Sequence, residues 1–336
     1  MHDKPPIQDT SVHEAPVRHG GLNGRTALVT GSSRGLGLLI AGELADRGCR
    51  VMITARDELA LERGLRMLRG RPGEVAATAC DLMDPEGPAL LLAAVRDRFG
   101  ADVDLLVNNA GVIQVGPVAA MQEQDFRRAH ELMTMAPLRL VQALLPSMRA
   151  RGSGSIVMIT SIGGRVPVPH LLPYVTAKFA LTGLSEGLGA ELAQYGIRVT
   201  TVLPGLMRTG SHTSAEFTGQ VGREYAWFAT AASLPLVSTD AGRAARRIVR
   251  AVESGRRELV LTPLAKAGVL AHGIAPATTD RLLGLAARLL PPSGAAPEHG
   301  VPGHRAAARH PRGGPVHRLT VLGRRAGRNH NEPTAS

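Results

Sequence analysis

Short apolar runs alternate with longer segments of helical periodicity along most of this chain, from residue 25 to residue 262. The apolar runs are RTALVTG, RVMITA, EVAATACDL, VDLLVNNAG, GSIVMITS, IRVTTVLPG and ELVLT. Runs that are apolar throughout, rather than at every second position, are typical of parallel strands with both faces buried. Because helical segments separate them, the pattern predicts an α/β fold: a doubly wound parallel sheet of about seven strands with helices on both faces.

The same pattern divides the chain into four regions. Residues 1–21 are polar and are predicted to form a disordered N-terminal arm, and residues 22–262 form the α/β domain. Residues 263–291 are predicted to add a short helical extension. Residues 292–336 are rich in Pro, Gly, Arg and His and are expected to be a low-complexity basic tail, in which HRLTVLGRRAGRN forms a last short helix.

Positive charge is concentrated near the C-terminus. The formal net charge is +11, and residues 291–336 contain seven Arg and two Glu. A basic tail could contact nucleic acid or an anionic lipid surface. We favour a solvated extension, because no aromatic side chain lies in the tail to stack on a base. No nucleic-acid partner is expected, and contact with a membrane surface is left open without being favoured.

The two cysteines are not expected to form a disulfide. Cys49 precedes the second strand and Cys80 ends the third, so the two lie at opposite ends of neighbouring parallel strands. Free thiols suit a reducing compartment. The chain begins without an apolar signal core, and no apolar run approaches the roughly 18 residues of a membrane span. A cytoplasmic location is predicted, and no metal site.

A glycine-rich turn, TGSSRGLG, joins the first strand to the first helix. Glycines let the backbone approach a pyrophosphate, and a helix N-terminus supplies free N–H groups and the positive end of a dipole. Because the turn follows a strand and opens a helix, it predicts a dinucleotide site. A tight turn without a ligand is the alternative. The residues of the predicted site are Gly31, Ser33, Arg34, Gly35, Leu36 and Gly37.

The end of the second strand indicates which dinucleotide is bound. An NAD site usually has an acidic residue there for the ribose 2′-hydroxyl, but this chain has Ala55 followed by Arg56. Arg56 and Arg34 could bind a 2′-phosphate, since guanidinium binds phosphate in a bidentate manner. Asp57 lies one residue too late for the NAD contact. The sequence therefore favours NADP over NAD, and the alternative is that both arginines are merely solvated.

The strongest chemical signal is Ser161 followed by Tyr174-Val175-Thr176-Ala177-Lys178. Tyr174 and Lys178 are four residues apart and share one face of a helix. A Lys ammonium beside a phenol lowers the phenol pKa from about 10, which would make Tyr174 a general acid or base near neutral pH. Ser161 ends the fifth strand and could hydrogen-bond the substrate oxygen. A Tyr and a Lys four residues apart are common on helices. The pair indicates a catalytic site because the other motifs also fall at the carboxyl ends of strands.

Together these motifs resemble the short-chain dehydrogenase/reductase (SDR) family. The resemblance covers about residues 22–262 and rests on TGSSRGLG, NNAG, the Ser161-to-Tyr174 spacing, YVTAK, and Pro204-Gly205 with Thr209 following. It implies a Rossmann-type dinucleotide-binding and catalytic domain, a nicotinamide cofactor, an alcohol or carbonyl substrate and a homo-oligomer. It assigns catalysis to Ser161, Tyr174 and Lys178. Further cofactor contacts are implied for Asp81, Leu82, Asn108, Ala110, Gly111, Tyr174, Lys178, Pro204, Gly205 and Thr209.

One position departs from the family pattern. The family often carries a fourth catalytic residue, an Asn, in the helix after the fourth strand, and Met133 stands at that position here. A thioether cannot replace the donors and acceptor of an amide. The resemblance implies a proton relay in which the main-chain carbonyl at this position holds a water near the Lys. Pro137 lacks an N–H, so the Met133 carbonyl has no helical partner and would still be available to hold that water. We therefore expect a tuned or slower enzyme rather than an inactive one.

Residues 206–235 follow the sixth strand, where the family places a mobile substrate loop. Phe217, Tyr225, Trp227 and Phe228 cluster there in a chain with only 3% aromatic residues. They predict an apolar lid over a bulky hydrophobic substrate, and the open alternative is a lid that packs only on its own domain. His170 could line the rim of the pocket. The apolar face around Leu282, Leu283, Leu289 and Leu290 could cover the pocket, join an interface or lie on a membrane.

The sequence thus predicts an NADP(H)-dependent oxidoreductase that interconverts a carbonyl and an alcohol on a hydrophobic small molecule. The alternative is a dinucleotide-binding sensor or scaffold with weak or no catalysis, and Met133 is its direct support.

Overall fold

The computed structural model describes residues 21–235, 238–294, 296–311 and 313–333. The predicted N-terminal arm therefore lies outside the described residues, apart from Gly21. Seven strands form one sheet in the order β11-β7-β6-β4-β1-β2-β3, and every neighbouring pair is parallel. The strands are β1 (Thr26–Thr30), β2 (Arg50–Ala55), β3 (Val75–Ala79), β4 (Leu105–Asn108), β6 (Gly154–Ile159), β7 (Ile197–Leu203) and β11 (Glu258–Val260). This confirms the predicted α/β fold with a seven-stranded, doubly wound sheet.

Helices cover both faces of this sheet, as expected for strands that are apolar throughout. Neighbouring residues of β1 show the two faces: Ala27 and Val29 belong to one core cluster and Leu28 to the other. The helices are α1 (Gly35–Ala45), α2 (Glu58–Met67), α3 (Gly87–Phe99), α4 (Glu123–His130), α5 (Ala136–Arg151), α6 (Leu172–Leu192), α7 (Val221–Ser233) and α8 (Ala241–Glu253). All loops that carry predicted site residues leave the carboxyl ends of the strands.

The helical region after the fourth strand, which contains Met133, has a wider turn in its middle. Glu131–Met135 form a π-helical turn between α4 and α5, and the N–H of Ala136 donates to the carbonyl of Glu131, five residues earlier. Such turns are rare and often occur at functional sites. Pro137 follows at the start of α5 and has no N–H to donate.

Two short helices, α9 (Pro263–Ile274) and α10 (Pro276–Ala287), follow the sheet, in agreement with the predicted extension. Of the four leucines of the predicted apolar face, Leu282 and Leu289 are exposed, and Leu283 and Leu290 are half-buried. No helix among the described residues is long and apolar enough to cross a membrane.

The tail is folded wherever the structure describes it, which agrees with the helix predicted in HRLTVLGRRAGRN and differs from the solvated extension expected for the rest. It forms β12 (Glu298–Pro302), α11 (Gly303–Ala307), α12 (Pro315–Leu319) and α13 (Val321–Asn329). β12 pairs antiparallel with β9 (Glu216–Gly219), which itself pairs parallel with β5 (Gln114–Val115). The remaining small sheet joins β8 (Met207–Arg208) to β10 (Thr239–Asp240).

The prediction from the composition of the tail was wrong, because the few apolar side chains of the tail pack against residues far away in sequence. Ala306 is fully buried, and Val301 and Val316 pack against the aromatic cluster of α7 and β9. The tail is therefore a folded covering of residues 206–235 rather than a solvated extension, in the part that the structure describes.

Candidate active site

The glycine turn is shaped by contacts that leave no room for side chains. A Cβ on Gly31 would lie 2.7 Å from Cα of Ala110, and one on Gly37 would lie 2.4 Å from Nδ2 of Asn109. Gly31 and Gly35 also have φ values of 60° and 58°, in the left-handed region that glycine adopts without strain. Glycine is required in this turn for two reasons: neighbouring atoms approach the backbone too closely for a side chain, and the backbone adopts a left-handed conformation.

The NNAG segment ties two strand ends together. Asn109 donates from Nδ2 to the carbonyls of Thr30 and Gly31, both at 3.0 Å, and the Ala110 N–H donates to Oγ1 of Thr30 at 3.1 Å. The Asn108 side chain is buried, and its Oδ1 atom has no hydrogen-bond partner among the described residues. Gly111 is exposed at the end of this segment.

The predicted 2′-phosphate site is only partly open. Arg34 pairs with Asp57, with 2.9 Å between Nη2 and Oδ2, and Asp57 also caps α2 through the N–H of Ala60. These two bonds lower the pKa of the Asp57 carboxyl, the Ala60 bond having the larger effect. Arg56 is exposed and makes no ion pair with any described residue. Arg34 can thus approach a phosphate only by sharing or leaving Asp57.

The adenine end of the predicted site lies after β3. Asp81 is exposed and accepts a hydrogen bond from the N–H of Met83, while Leu82 is buried in the core. Cys80 nearby and Cys49 at the opposite end of β2 are both free thiols, as predicted.

The predicted catalytic residues converge at the carboxyl ends of β6 and β7. The Oγ atom of Ser161 accepts a hydrogen bond from the N–H of Gly163 at 3.0 Å. A Cβ on Gly163 would lie 3.4 Å from both this oxygen and Cε1 of Tyr174, so the serine hydroxyl and the ring lie on the same side of Gly163. Lys178 lies one turn later on α6, with Nζ 5.7 Å from the centre of the Tyr174 ring and 2.7 Å from the carbonyl oxygen of Ile159.

Burial controls the protonation of this pair. It lowers the pKa of Lys178 to about 7. It also raises the pKa of Tyr174, and this effect exceeds the lowering by the hydrogen bond with Ser161. The prediction that Lys178 lowers the Tyr174 pKa is therefore wrong for the protein without a bound cofactor. Both neutral forms are favoured because neither charge has solvent around it.

Met133 is fully buried in the π-helical turn. A Cβ on Gly111 would lie 3.2 Å from the Met133 sulfur, so the thioether packs beneath the NNAG segment. The same turn contacts the catalytic helix through Thr134, whose hydroxyl donates to the Ala177 carbonyl at 3.2 Å. The methionine therefore fills space next to the site and leaves the turn attached to α6.

The lid aromatics pack on each other rather than opening towards a pocket. Phe217, Tyr225 and Phe228 are buried in one cluster, which supports the alternative of a lid that packs on its own domain. Trp227 is partly buried and donates from its indole N–H to Glu224 at 2.7 Å. Glu224 is completely buried and also contacts Nδ1 of His170, at 3.0 Å.

The loop after β7 carries the remaining predicted residues. Pro204 accepts a hydrogen bond from the Ile162 N–H at 2.8 Å, and a Cβ on Gly205 would lie 2.7 Å from Oγ1 of Thr262. Thr209 is buried, and its Oγ1 accepts from the N–H of Ser211. These three residues thus lie on the same edge of the sheet as the glycine turn and the catalytic residues.

Sequence reasoning missed a second group at this edge, His330, Asn331 and Glu332. The His330 carbonyl accepts the N–H of Gly35 at 2.9 Å, and Asn331 donates to the carbonyl of Ser33 at 2.7 Å. Local sequence gives one signal only: Glu332 is one of two acidic residues in a basic tail.

The residues of this edge fit a dinucleotide. The turn offers glycines that a Cβ would fill, the N-terminus of α1 has no side-chain cap and no acidic residue in its first turn, and Arg34 and Arg56 add positive charge. Each feature suits a phosphate-rich ligand. No cluster of His, Cys, Asp and Glu able to hold a metal ion occurs within the described ranges.

The chain is similar to a known protein family and to several known proteins. The short chain dehydrogenase family matches residues 25–218. Dehydrogenase/reductase SDR family member 4 of Bos taurus is 35% identical over 194 residues, which are 57% of this chain and 69% of that protein. A short-chain dehydrogenase structure from Streptomyces avermitilis has a TM-score of 0.68 at 33% identity, with coverage of 79% of this chain and 98% of that one. L-Sorbose reductase from Gluconobacter frateurii, complexed with NADPH and L-sorbose, has a TM-score of 0.63 at 28% identity, with coverage of 72% and 96%.

Proposed function

The chain belongs to the short-chain dehydrogenase/reductase family, and we propose that it uses NADP(H) to interconvert a carbonyl and an alcohol on a hydrophobic small molecule. NAD(P)-dependent oxidation or reduction of small-molecule alcohols and carbonyls follows from the family. The observation that carries the finer proposal is the convergence of Ser161, Tyr174 and Lys178 next to the glycine turn.

Proton transfer is assigned to Tyr174. In the reductive direction its phenol gives a proton to the carbonyl oxygen, and Ser161 donates a hydrogen bond to the same oxygen. When bound, the nicotinamide supplies the hydride that goes to the carbonyl carbon. Lys178 then carries the compensating positive charge beside the phenolate, and its pKa of about 7 lets it exchange a proton near neutral pH. In the oxidative direction each transfer is reversed.

NADP is proposed over NAD because arginines replace the acid that would bind a ribose hydroxyl. Arg56 is exposed and makes no ion pair with a described residue, so a phosphate would be its partner. L-Sorbose reductase, a structural neighbour, is complexed with NADPH, which supports the same choice. The contacts of the other predicted cofactor residues are part of this proposal.

The proposal of a hydrophobic substrate is supported by the side chains around Tyr174 rather than by the lid aromatics. Ile113, Val168, Leu171 and Val175 belong to the same apolar cluster as the Tyr174 ring. Trp227 is the lid aromatic that keeps some exposure there. A substrate held by these groups would have an apolar body next to the reacting carbonyl.

A panel of ketones and aldehydes with NADPH, followed by the loss of cofactor absorbance, tests the proposal. We expect turnover of hydrophobic carbonyl compounds, with NADPH preferred to NADH. Turnover of L-sorbose but of no hydrophobic compound would contradict the substrate class. The alternative function, a dinucleotide-binding sensor, is favoured by buried Met133, and binding of NADPH without any turnover would establish it. A homo-oligomer and a cytoplasmic location stay predictions.

A further inference from the structure

The C-terminal segment of residues 330–332 lies in the phosphate-binding part of the candidate cofactor site. The first N–H of α1, on Gly35, donates to the carbonyl of His330 at 2.9 Å. The Oε1 atom of Glu332 lies 2.9 Å from the position of a Cβ on Gly35. A carboxylate therefore occupies the end of the helix at which a dinucleotide fold holds its pyrophosphate.

The segment is anchored by specific contacts rather than by loose proximity. Asn331 donates from Nδ2 to the carbonyls of Ser33 and Ala60, at 2.7 and 2.9 Å, and accepts from Nε of Arg63 at 3.1 Å. Its φ of 61° lies in the left-handed region, which Asn adopts more readily than most residues. The side chain of Asn331 thus joins the turn that follows β1 to α2, and its amide hydrogen bonds are satisfied there.

Glu332 is buried, and its carboxyl group has polar and charged neighbours. Its carboxylate accepts a hydrogen bond from the hydroxyl of Ser214, and Arg34 acts on it through its charge. Its Cγ atom lies 3.2 Å from the position of a Cβ on Gly210, next to Thr209. The carboxylate is therefore enclosed between the glycine turn and the loop after β7, the two elements assigned to the cofactor.

The segment is also held by the folded tail that precedes it. Gly327 of α13 lies so close to Gly210 that a Cβ on Gly210 would be 2.3 Å from its Cα atom. His330 reaches back to the Thr209 carbonyl, 3.3 Å from Nδ1. Since α13 contacts α7 as well, the same tail covers the lid and fills the turn.

We propose that residues 330–332 form an autoinhibitory segment, which has to leave the glycine turn before NADP(H) binds. The inference rests on the proposed function, because it takes this turn as the pyrophosphate site. The carboxyl group of Glu332 and the pyrophosphate compete for the same helix end and for Arg34. The measured affinity for cofactor is then reduced by the fraction of chains in which the segment is docked.

Isothermal titration of NADPH tests this without relying on turnover. The full chain is compared with Asn331→Ala, with a chain ending at Asn329, and with a control chain ending at Pro333. We expect Asn331→Ala and the chain ending at Asn329 to bind NADPH about tenfold more tightly or better, and the control to match the full chain. Asn331→Ala keeps the net charge and the whole tail, so it remains informative if the shortened chain folds poorly.

Hydrogen exchange of the full chain provides a second readout. The amides of residues 327–332 are expected to exchange faster when NADPH is added. Equal affinity in all four chains would overturn the inference and leave the proposed function standing. Weaker binding by the shortened chain would also overturn it, since the segment would then be part of the cofactor site. No binding by any chain would overturn the proposed function, and the inference with it.

Discussion

The side-chain nitrogen of Lys178 lies 5.7 Å from the centre of the Tyr174 ring, one turn further along the same helix, and is anchored by the carbonyl of Ile159. The Ile159 carbonyl belongs to the strand that delivers Ser161. The catalytic helix and the serine are therefore fixed to each other through one buried hydrogen bond. This relationship makes the three side chains a unit, and the predictions below follow from it and from the cofactor site beside it.

Replacing Arg34 and Arg56 by Ala is expected to weaken NADPH binding at least about tenfold and NADH binding by much less, because each lost bond to a charged phosphate is worth about 1.5–3 kcal/mol. Arg66→Ala is the matched control, since Arg66 is exposed on α2 and its ion pair among the described residues is with Glu62. Dissociation constants for both cofactors provide the measurement. An equal loss for NADPH and NADH would disprove the 2′-phosphate assignment.

Met133→Asn is expected to change kcat modestly, by less than about tenfold. The π-helical turn and Pro137 already leave the backbone at this position without ordinary helical bonding, so a relay through the carbonyl does not need the amide. Met133→Leu keeps the packing and serves as the control. Steady-state kinetics and thermal unfolding of both variants separate catalysis from folding. A gain of several orders of magnitude in kcat would show that the native relay is broken.

Phe217→Ala is expected to destabilise the protein by about 3–5 kcal/mol, because the ring is completely buried in the cluster formed by β9, α7 and the tail. Urea unfolding measures the loss, and Leu289→Ala, on an exposed residue of the extension, is the control. A raised KM with unchanged stability would mean instead that Phe217 contacts substrate.

Cofactor binding is expected to depend on pH through Glu332. Burial raises the pKa of Glu332 to about 7, above the value of a free Glu, so docking of the segment takes up a proton. Docking is thus strongest at low pH and weakens as the pH rises through 7. The measured quantity is the apparent Kd of the native chain for NADPH divided by the Kd of Glu332→Gln. This ratio should rise by up to about tenfold when the pH is lowered from 8 to 6.

Other charged groups near Glu332 are Arg34, with its partner Asp57, and His330, which Asp240 influences. Burial lowers the pKa of His330, so its protonation at low pH opposes docking. That effect, and the titration of the cofactor phosphate, occur in both chains and cancel in the ratio. A ratio that is constant between pH 6 and pH 8 would contradict the role of Glu332.

Much of the fold and of the catalytic centre could be predicted because the signals are local. The strands are continuous apolar runs, and Tyr174 and Lys178 are placed on one face by helix geometry alone. Gly31 and Gly37 were recognisable because their positions after a strand and before a helix allow few other residues. These features depend on neighbours within a few positions.

The features that were missed depend on contacts between distant segments. Asn331 meets Ser33 across 298 positions, and no pattern in a basic, Pro- and Gly-rich tail indicates that contact. The lid aromatics were correctly found as a cluster, but whether they face substrate or the protein was decided by α11 and β12. The expected fall in the Tyr174 pKa failed because burial, which the sequence does not reveal, raises that pKa and also lowers the pKa of Lys178.

The comparison of the native protein with Tyr174→Phe tests the central claim most directly. The variant removes one hydroxyl and keeps the ring, so cofactor binding should stay within about twofold while kcat falls by about 10²-fold or more. Both quantities are measured on one preparation, by NADPH titration and by turnover of the best carbonyl compound of the panel. Unchanged turnover by Tyr174→Phe would contradict the assignment of Tyr174 as the general acid and base.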